Sequence, residues 1–299
     1  MTTPSEQTHV GVFNAISAYV MWGFAPLYFK LLHDVNASEI LIHRVLWSCL
    51  LLALIIVGAK KWSYVQAIMK QPKLLIRLTF TATILAANWF LFIWAINNNH
   101  LLDASLGYFI NPLFSVALGV IFLNEKLRKW KKIAVFLAVI GVLIQLLALG
   151  TLPIVSLALA TTFGTYGLLR KKMSVDSFVG LWFESILMLP FAILYWSFFT
   201  DSATSNMFNN ALDLNIILIM AGIVTTAPLL CFTAAAKRLT LSALGFFQYI
   251  GPSIMFVLAT FLYHEPLLKA KLATFVLIWC ALIIFSWDSW QERKLKETL

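Results

Sequence analysis

Charge is what this sequence has least of. Only 12% of its 299 residues are Asp, Glu, Lys or Arg, against 61% apolar, and mean hydropathy is +0.87. A soluble domain is about a quarter charged and about half apolar. That class is excluded, and no soluble domain fits beside the apolar runs. Acidic residues are scarcer still, 13 against 22 Lys and Arg, for a formal net charge of +9. The excess does not call for nucleic acid, because cytoplasmic loops of membrane proteins collect Lys and Arg. Cysteine is nearly absent, and Cys49, Cys231 and Cys280 all fall inside apolar runs, which rules out a disulfide scaffold. Gly-rich phosphate loops and zinc-ligand spacings are missing, so neither a cofactor nor a metal is expected. His9, His33, His100 and His264 sit in loops or at helix ends, and only His43 lies within a span. That scatter argues against an intramembrane enzyme, which must gather its reactive groups at one depth. The first nine residues, MTTPSEQTH, carry no Lys or Arg and precede no small-residue cleavage site, so no cleaved signal peptide is expected.

What is present is a succession of apolar runs long enough to cross a bilayer, which takes roughly 20 residues each. Ten helices are predicted, over 10–32, 38–58, 73–97, 101–123, 130–149, 152–169, 177–199, 212–236, 240–263 and 270–290. The sixth is the shortest and is rich in Ala, Thr and Gly. All of the Lys and Arg residues except Lys30, Arg44, Arg77, Lys269 and Lys271 fall in one set of loops or in the C-terminal tail. That set is expected to face the cytoplasm, with both termini. The cation-free loop DSATSNMFNNALD suits the outside.

Two prolines inside spans point to an internal repeat. A shift of 140 residues lays Pro112 on Pro252, Ile110 on Ile250, Leu118 on Leu258 and Glu125 on Glu265. It also lays Phe92 on Phe232 and Ala95 on Ala235, and a shift of 141 lays Gly23 on Gly164 and Lys30 on Lys171. Five spans per unit is an odd number, so the second unit must be inverted relative to the first. The expected fold is therefore an all-α integral membrane protein of ten transmembrane helices in two inverted five-helix repeats. The repeats cover residues 8–150 and 151–290, followed by a cytoplasmic tail, 291–299. Inverted repeats are a transporter architecture, with the site near the midplane at interrupted helices. Gly23, Pro26, Pro112 and Pro252 are the candidate hinges; a static kink that aids packing is the alternative.

The segments MWGFAPLYFKLL, HRVLWS, NWFLFIWAINN, ASLGYFINPL, GIVTTAPLLCFTAAAKRL and LGFFQYIGPSIMF resemble RarD-like proteins of the EamA family, in the drug/metabolite transporter superfamily. The resemblance covers roughly residues 8 to 290. It implies a permease of the bacterial inner membrane, with a central cavity lined by the first four helices of each repeat. The fifth helices, near 130–149 and 270–290, would stand aside for packing or a homodimer contact. Ala134 and Ala138, four apart, allow such close packing.

Ionisable groups within a span are costly and face a cavity or a partner. His43, Arg44 and Glu184 are the candidates, and a shift of 141 sets His43 on Glu184. Arg44 would receive an anionic group of a small-molecule substrate, while His43 and Glu184 would pair, bind an amine or relay protons. A structural ion pair is the competing role. Asn88, Trp89, Tyr108, Tyr166, Gln248, Tyr249 and Trp22 would complete an aromatic and amide lining, with ordinary helix packing as the alternative. Glu125 and Glu265 read as charges at helix ends. The expected activity is secondary transport of a small metabolite or drug-like solute by alternating access, and the rival is a non-transporting structural or sensory membrane protein.

Overall fold

The fold comes from a computed structural model, which describes residues 4–97, 101–149, 154–200, 202–262, 264 and 269–297. Twelve α-helices and one π-helical segment make up these residues, and there is no strand among them. The helices are α1 (Pro4–Lys30), α2 (Ala37–Gly58), α3 (Trp62–Met69), α4 (Pro72–Asn97), α5 (Leu101–Leu123) and α6 (Lys129–Leu149). They continue with α7 (Ile154–Lys172), α8 (Ser177–Phe199), α9 (Leu212–Arg238), α10 (Leu241–Gln248), α11 (Ile250–Val257), the π segment Leu258–Leu262, and α12 (Lys269–Glu297). Among the described residues, nine stretches are long and apolar enough to cross a membrane, with residues 241–262 as one interrupted crossing. α7 is the tenth crossing helix; its Ser, Thr and Gly residues and three terminal cations keep it below that apolar threshold. Outward faces carry bare apolar side chains such as Phe13, Leu147 and Phe198, as lipid requires.

Local chemistry sets the helix ends. Lys60, Asn124 and His264 take left-handed backbone conformations, with φ of 53°, 52° and 52°. Lys60 terminates α2, where the Lys61 amide reaches back to the Ile56 carbonyl at 2.9 Å; Asn124 terminates α5, where the Glu125 amide reaches the Gly119 carbonyl at 3.1 Å. Asn124 and His264 share the offset that relates Pro112 to Pro252. Asp176 caps α8, accepting from the Phe178 and Val179 amides at 3.0 and 3.3 Å. Burial opposes ionisation of Asp176, but the Lys61 ammonium at 2.7 Å and the two capping amides outweigh it and hold the carboxyl below its ordinary value.

The helices pack in reciprocal pairs. α5 lies along α7 as α1 lies along α10 and α11; α4 packs on α7 and α8 as α9 packs on α1 and α2. α2 crosses α8, α5 crosses α10 and α6 runs along α12. Each pair maps onto another, or onto itself, when the two halves are exchanged. α2 crosses α9 closely, where Gly222 lies against the Trp47 backbone and a Cβ there would meet the Trp47 carbonyl carbon at 2.6 Å. α6 and α12 stand to one side. Ala134 and Ala138 are buried in one apolar cluster with Phe275, Ile278 and Ala281 of α12, and Thr274 Oγ1 donates to the Gly141 carbonyl at 3.0 Å. The small residues of α6 are thus taken up by a partner within the chain.

The candidate hinges at Pro112 and Pro252 behave differently. α5 runs through Pro112 without interruption, whereas the crossing that holds Pro252 breaks at Tyr249 and loosens into the π segment beyond it. The hydroxyl of Tyr249 donates to the Phe109 carbonyl of α5 at 3.2 Å. Its own carbonyl accepts from the Ser253 amide and hydroxyl at 3.1 and 2.8 Å. The Phe109 carbonyl, near Pro112, is thus taken up by the neighbouring helix, and the Tyr249 carbonyl, near Pro252, by Ser253. α1 is likewise continuous through Gly23 and Pro26, and Gly23 abuts Ile254 of α11.

Candidate functional site

Between α2, α4, α8 and α9 lies a void of about 10 Å³, room for one water. Its apolar walls include Leu52, Leu85 and Met188; its polar walls are Ser48, Glu184, Ser185, Thr225 and Thr226, with Trp89 on one side. Charged groups approach this void from two directions.

Arg44 of α2 comes from one direction. Its Nε donates to Thr225 Oγ1 at 2.8 Å, and its guanidinium carbon stands 4.7 Å from the Trp89 ring centre and 5.8 Å from that of Phe29. A planar guanidinium stacked on indole keeps its fork in a fixed plane, the geometry that suits a carboxylate or phosphate. Tyr28 and Tyr108 lie within its electrostatic reach, and Tyr28 is anchored by donating to the Ile217 carbonyl at 2.8 Å.

Glu184 of α8 comes from the other. It is fully buried, with Oε1 accepting from Thr81 Oγ1 at 2.6 Å and Oε2 from the Tyr166 hydroxyl at 3.0 Å. The Arg170 guanidinium lies 3.6 Å from Oε1 and is 1% exposed. None of its three nitrogens has a hydrogen-bond acceptor among the described residues. A buried guanidinium so weakly engaged is energetically poised, because each unmade hydrogen bond to a charged group carries a desolvation penalty.

His43 and Glu184, expected to pair, are not brought together. His43 Nδ1 accepts from Trp47 Nε1 at 3.1 Å, Nε2 has no partner among the described residues, and the ring stands 5.2 Å from Trp196. Twelve residues of α8 separate Trp196 from Glu184, about 18 Å of helical rise. Inversion is the physical reason: mates in oppositely directed repeats fall at mirrored depths, not at one depth. Glu39, one turn from His43, is also buried and accepts from Ser202 and Thr204 hydroxyls at 2.6 and 3.0 Å, tying loop 202–210 to α2.

The remaining predicted residues divide. Trp89 lines the void under Arg44, and Tyr166 holds Glu184. Tyr108, beside Arg44, meets Phe92 edge to face with ring centres 6.4 Å apart. Asn88 is engaged by α7, donating to the Leu159 carbonyl at 3.1 Å and to Thr162 Oγ1 at 2.8 Å. Gln248 donates to Ser115 Oγ at 3.2 Å, and with Tyr249 it joins α10 to α5 rather than lining the void. Trp22 sits in an aromatic cluster with Tyr19, Phe163 and Phe232, centres 5.5, 5.8 and 5.9 Å away. Thr81, Thr225, Arg170 and Glu39 were not singled out by sequence. Only Arg170 leaves a signal there: it lies one helical turn beyond Tyr166 on the same face.

A polytopic helical protein whose few interior charges converge on a cleft between two packed halves belongs with membrane transporters. The family model for the EamA-like transporter family matches residues 9–147. An "Uncharacterized transporter" of Vibrio cholerae is 54% identical over 96% of this chain and 95% of its own length. "Protein RarD" of Escherichia coli K12 is 50% identical over 95% and 96%. A solved crystal structure shares the fold, with TM-score 0.73 at 16% identity, over 93% of this chain and 96% of that one. The chain belongs to the EamA-like transporter family, as a RarD-like member, and is a multi-pass bacterial membrane protein.

Proposed function

We propose that this chain is a secondary transporter that carries a small metabolite or drug-like solute across the bacterial inner membrane by alternating access. Two inverted repeats, residues 8–150 and 151–290, rock against each other, with both termini in the cytoplasm. The observation that carries this reading is the axis from Arg44 through the void to Glu184. It runs between helices of both halves, from a guanidinium held on Trp89 and Thr225, two residues of the void's wall, to the Glu184 carboxylate on another wall. In this conformation the void is too small for any solute, which fits a closed stage of such a cycle. The reciprocal packing and the matching left-handed residues Asn124 and His264 support two equivalent units.

The solute reading follows from the chemistry of the ends. Arg44 receives an anionic group, Trp89 and Tyr108 accept a flat or apolar body, and Glu184 exchanges a proton as the cleft opens. Nothing in the arrangement calls for a reaction centre, and the charges act by binding and by neutralisation. Flux of organic anions in sealed proteoliposomes tests this. Arg44→Lys keeps the charge but loses the planar stack, and is expected to raise the half-saturating solute concentration about tenfold, roughly 1.4 kcal/mol. Glu184→Gln is expected to leave solute flux independent of a pH gradient. Unchanged pH dependence in that variant would rule out the proton role.

A further inference from the structure

Glu125 does more than end a helix. It follows the left-handed residue Asn124 at the end of α5, and its carboxylate folds back across Gly119 to the start of α10. Oε1 accepts the Leu241 amide at 2.6 Å; Oε2 accepts the Ser242 amide at 2.9 Å and the Ser242 hydroxyl at 2.7 Å. A Cβ on residue 119 would stand 2.6 Å from Oε2, so only glycine admits the carboxylate there. Lys171, at the end of α7, binds the other side of the same elbow. Its ammonium donates to the Ala236 carbonyl at 3.1 Å and to the Leu239 carbonyl. An anion therefore sits at the first amides of α10 and a cation at the last carbonyls of α9, each matched to the helix end it faces. Leu239, Leu241 and Ser242 are buried, and Thr240 adds its own cap by accepting from the Ala243 amide at 3.2 Å. The α9–α10 elbow is thus gripped from both sides by residues of α7 and of the α5–α6 linker. These elements meet at the end of the molecule that carries the basic loops.

We propose that Glu125 and Lys171 form a charge latch that keeps this end of the cleft closed, and that release of the α9–α10 elbow opens it. The proposal rests on the alternating-access reading. Opening requires α10 to leave α5, on which Gly245 and Phe246 pack; the polar contacts behind the latch are neutral, one Gln248–Ser115 hydrogen bond and the Tyr249 hydroxyl on Phe109. Among the polar contacts, the charge-assisted bonds at the elbow are the stronger restraint. The break at Tyr249 lets α10 swing while α11 stays against α1.

The test uses a full-length background with Cys49, Cys231 and Cys280 replaced by Ala and a reporter Leu244→Cys, fully buried on α10. A membrane-impermeant maleimide is supplied from the side of the basic loops. Glu125→Gln and Lys171→Gln are each expected to raise the labelling rate about tenfold, the shift produced by removing one charge-assisted bond. Unchanged labelling in variants that elute as folded protein overturns the latch. Hydrogen exchange on the unmodified protein serves where the variants do not fold. The Leu241 and Ser242 amides are expected to exchange as slowly as the interior of α9, and loop-like exchange overturns the proposal. Labelling reads opening without any transported solute. Raised labelling with no flux would sink the transport reading and leave the latch, and normal flux with unchanged labelling would do the reverse.

Discussion

A carboxylate and a guanidinium with 0% and 1% exposure, 3.6 Å apart, are bound to each other's charge state. Removing one member strands the other: Arg170→Met is expected to destabilise the protein by about 3–5 kcal/mol. Arg170→Met combined with Glu184→Gln removes both charges and should recover most of that loss. Thermal unfolding in detergent, run as a double-variant cycle, measures it. A double variant no more stable than Arg170→Met alone would show that the pair is not coupled. Glu184, His43 and Arg44 were legible because each interrupts a long apolar run. Arg170 was not, because it begins the run Arg170-Lys171-Lys172, which reads as a basic loop. Which of three consecutive cations turns inward is decided by the face of α7 that Tyr166 already occupies. Thr81 and Thr225 were illegible for a related reason. A lone hydroxyl in an apolar helix is common, and its role appears only when a charge from another helix lands on it.

At the scale of elements, hydropathy located the crossings closely. The predicted run 177–199 coincides with α8, and 38–58 differs from α2 by one residue. Residues 59–72 are predicted to form a basic loop between two crossings, and α3 lies within it. It is a short amphipathic helix whose Val65 and Ile68 pack with Ile56, Leu78 and Met173. The interrupted crossing was flagged at Pro252, yet the break falls three residues earlier, at Tyr249. Proline lacks the amide that would close the preceding turn, so the strain is relieved on its N-terminal side. The π segment leaves no mark in the sequence; α12 is held to the preceding α11, where Trp279 donates to Ser253 Oγ at 3.0 Å. Element packing also makes a sharp prediction at the α2–α9 crossing. Gly222→Ala would press a methyl into the Trp47 backbone, which cannot retreat as a side chain could. It would also displace the Gly222 carbonyl that accepts from Ser48 Oγ at 3.3 Å. A loss of about 1–3 kcal/mol is expected for such overpacking, seen as a lowered Tm. An unchanged Tm would mean that α2 and α9 do not approach this closely.

For the whole molecule, the arrangement turns on direction. Five crossings per unit oblige the second unit to run opposite to the first, and α2 carries a marker at each of its ends. At one end Glu39 holds Ser202 and Thr204; just past the other, Lys61 holds Asp176 at 2.7 Å. Segments 59–71 and 202–211 therefore lie at opposite ends of a 22-residue helix, about 33 Å of rise, the thickness of a bilayer core. The same architecture uses Ala134 and Ala138 of α6 on α12, so these two residues are occupied within the chain. Single cysteines at Ser63, exposed on α3, and at Phe208, 99% exposed in the opposite loop, report the direction in intact cells and inverted vesicles. If the bias of Lys60, Lys61, Lys70 and Lys73 sets the proposed orientation, Ser63→Cys is expected to react with an impermeant thiol reagent only in inverted vesicles. Phe208→Cys, in a loop without a cation, is expected to react only in intact cells. Reversal of both patterns would turn the molecule over in the membrane and place the Glu125–Lys171 latch on the outer face. Labelling of both sites from one side would contradict the odd crossing number, and an inverted pair of repeats could not survive it.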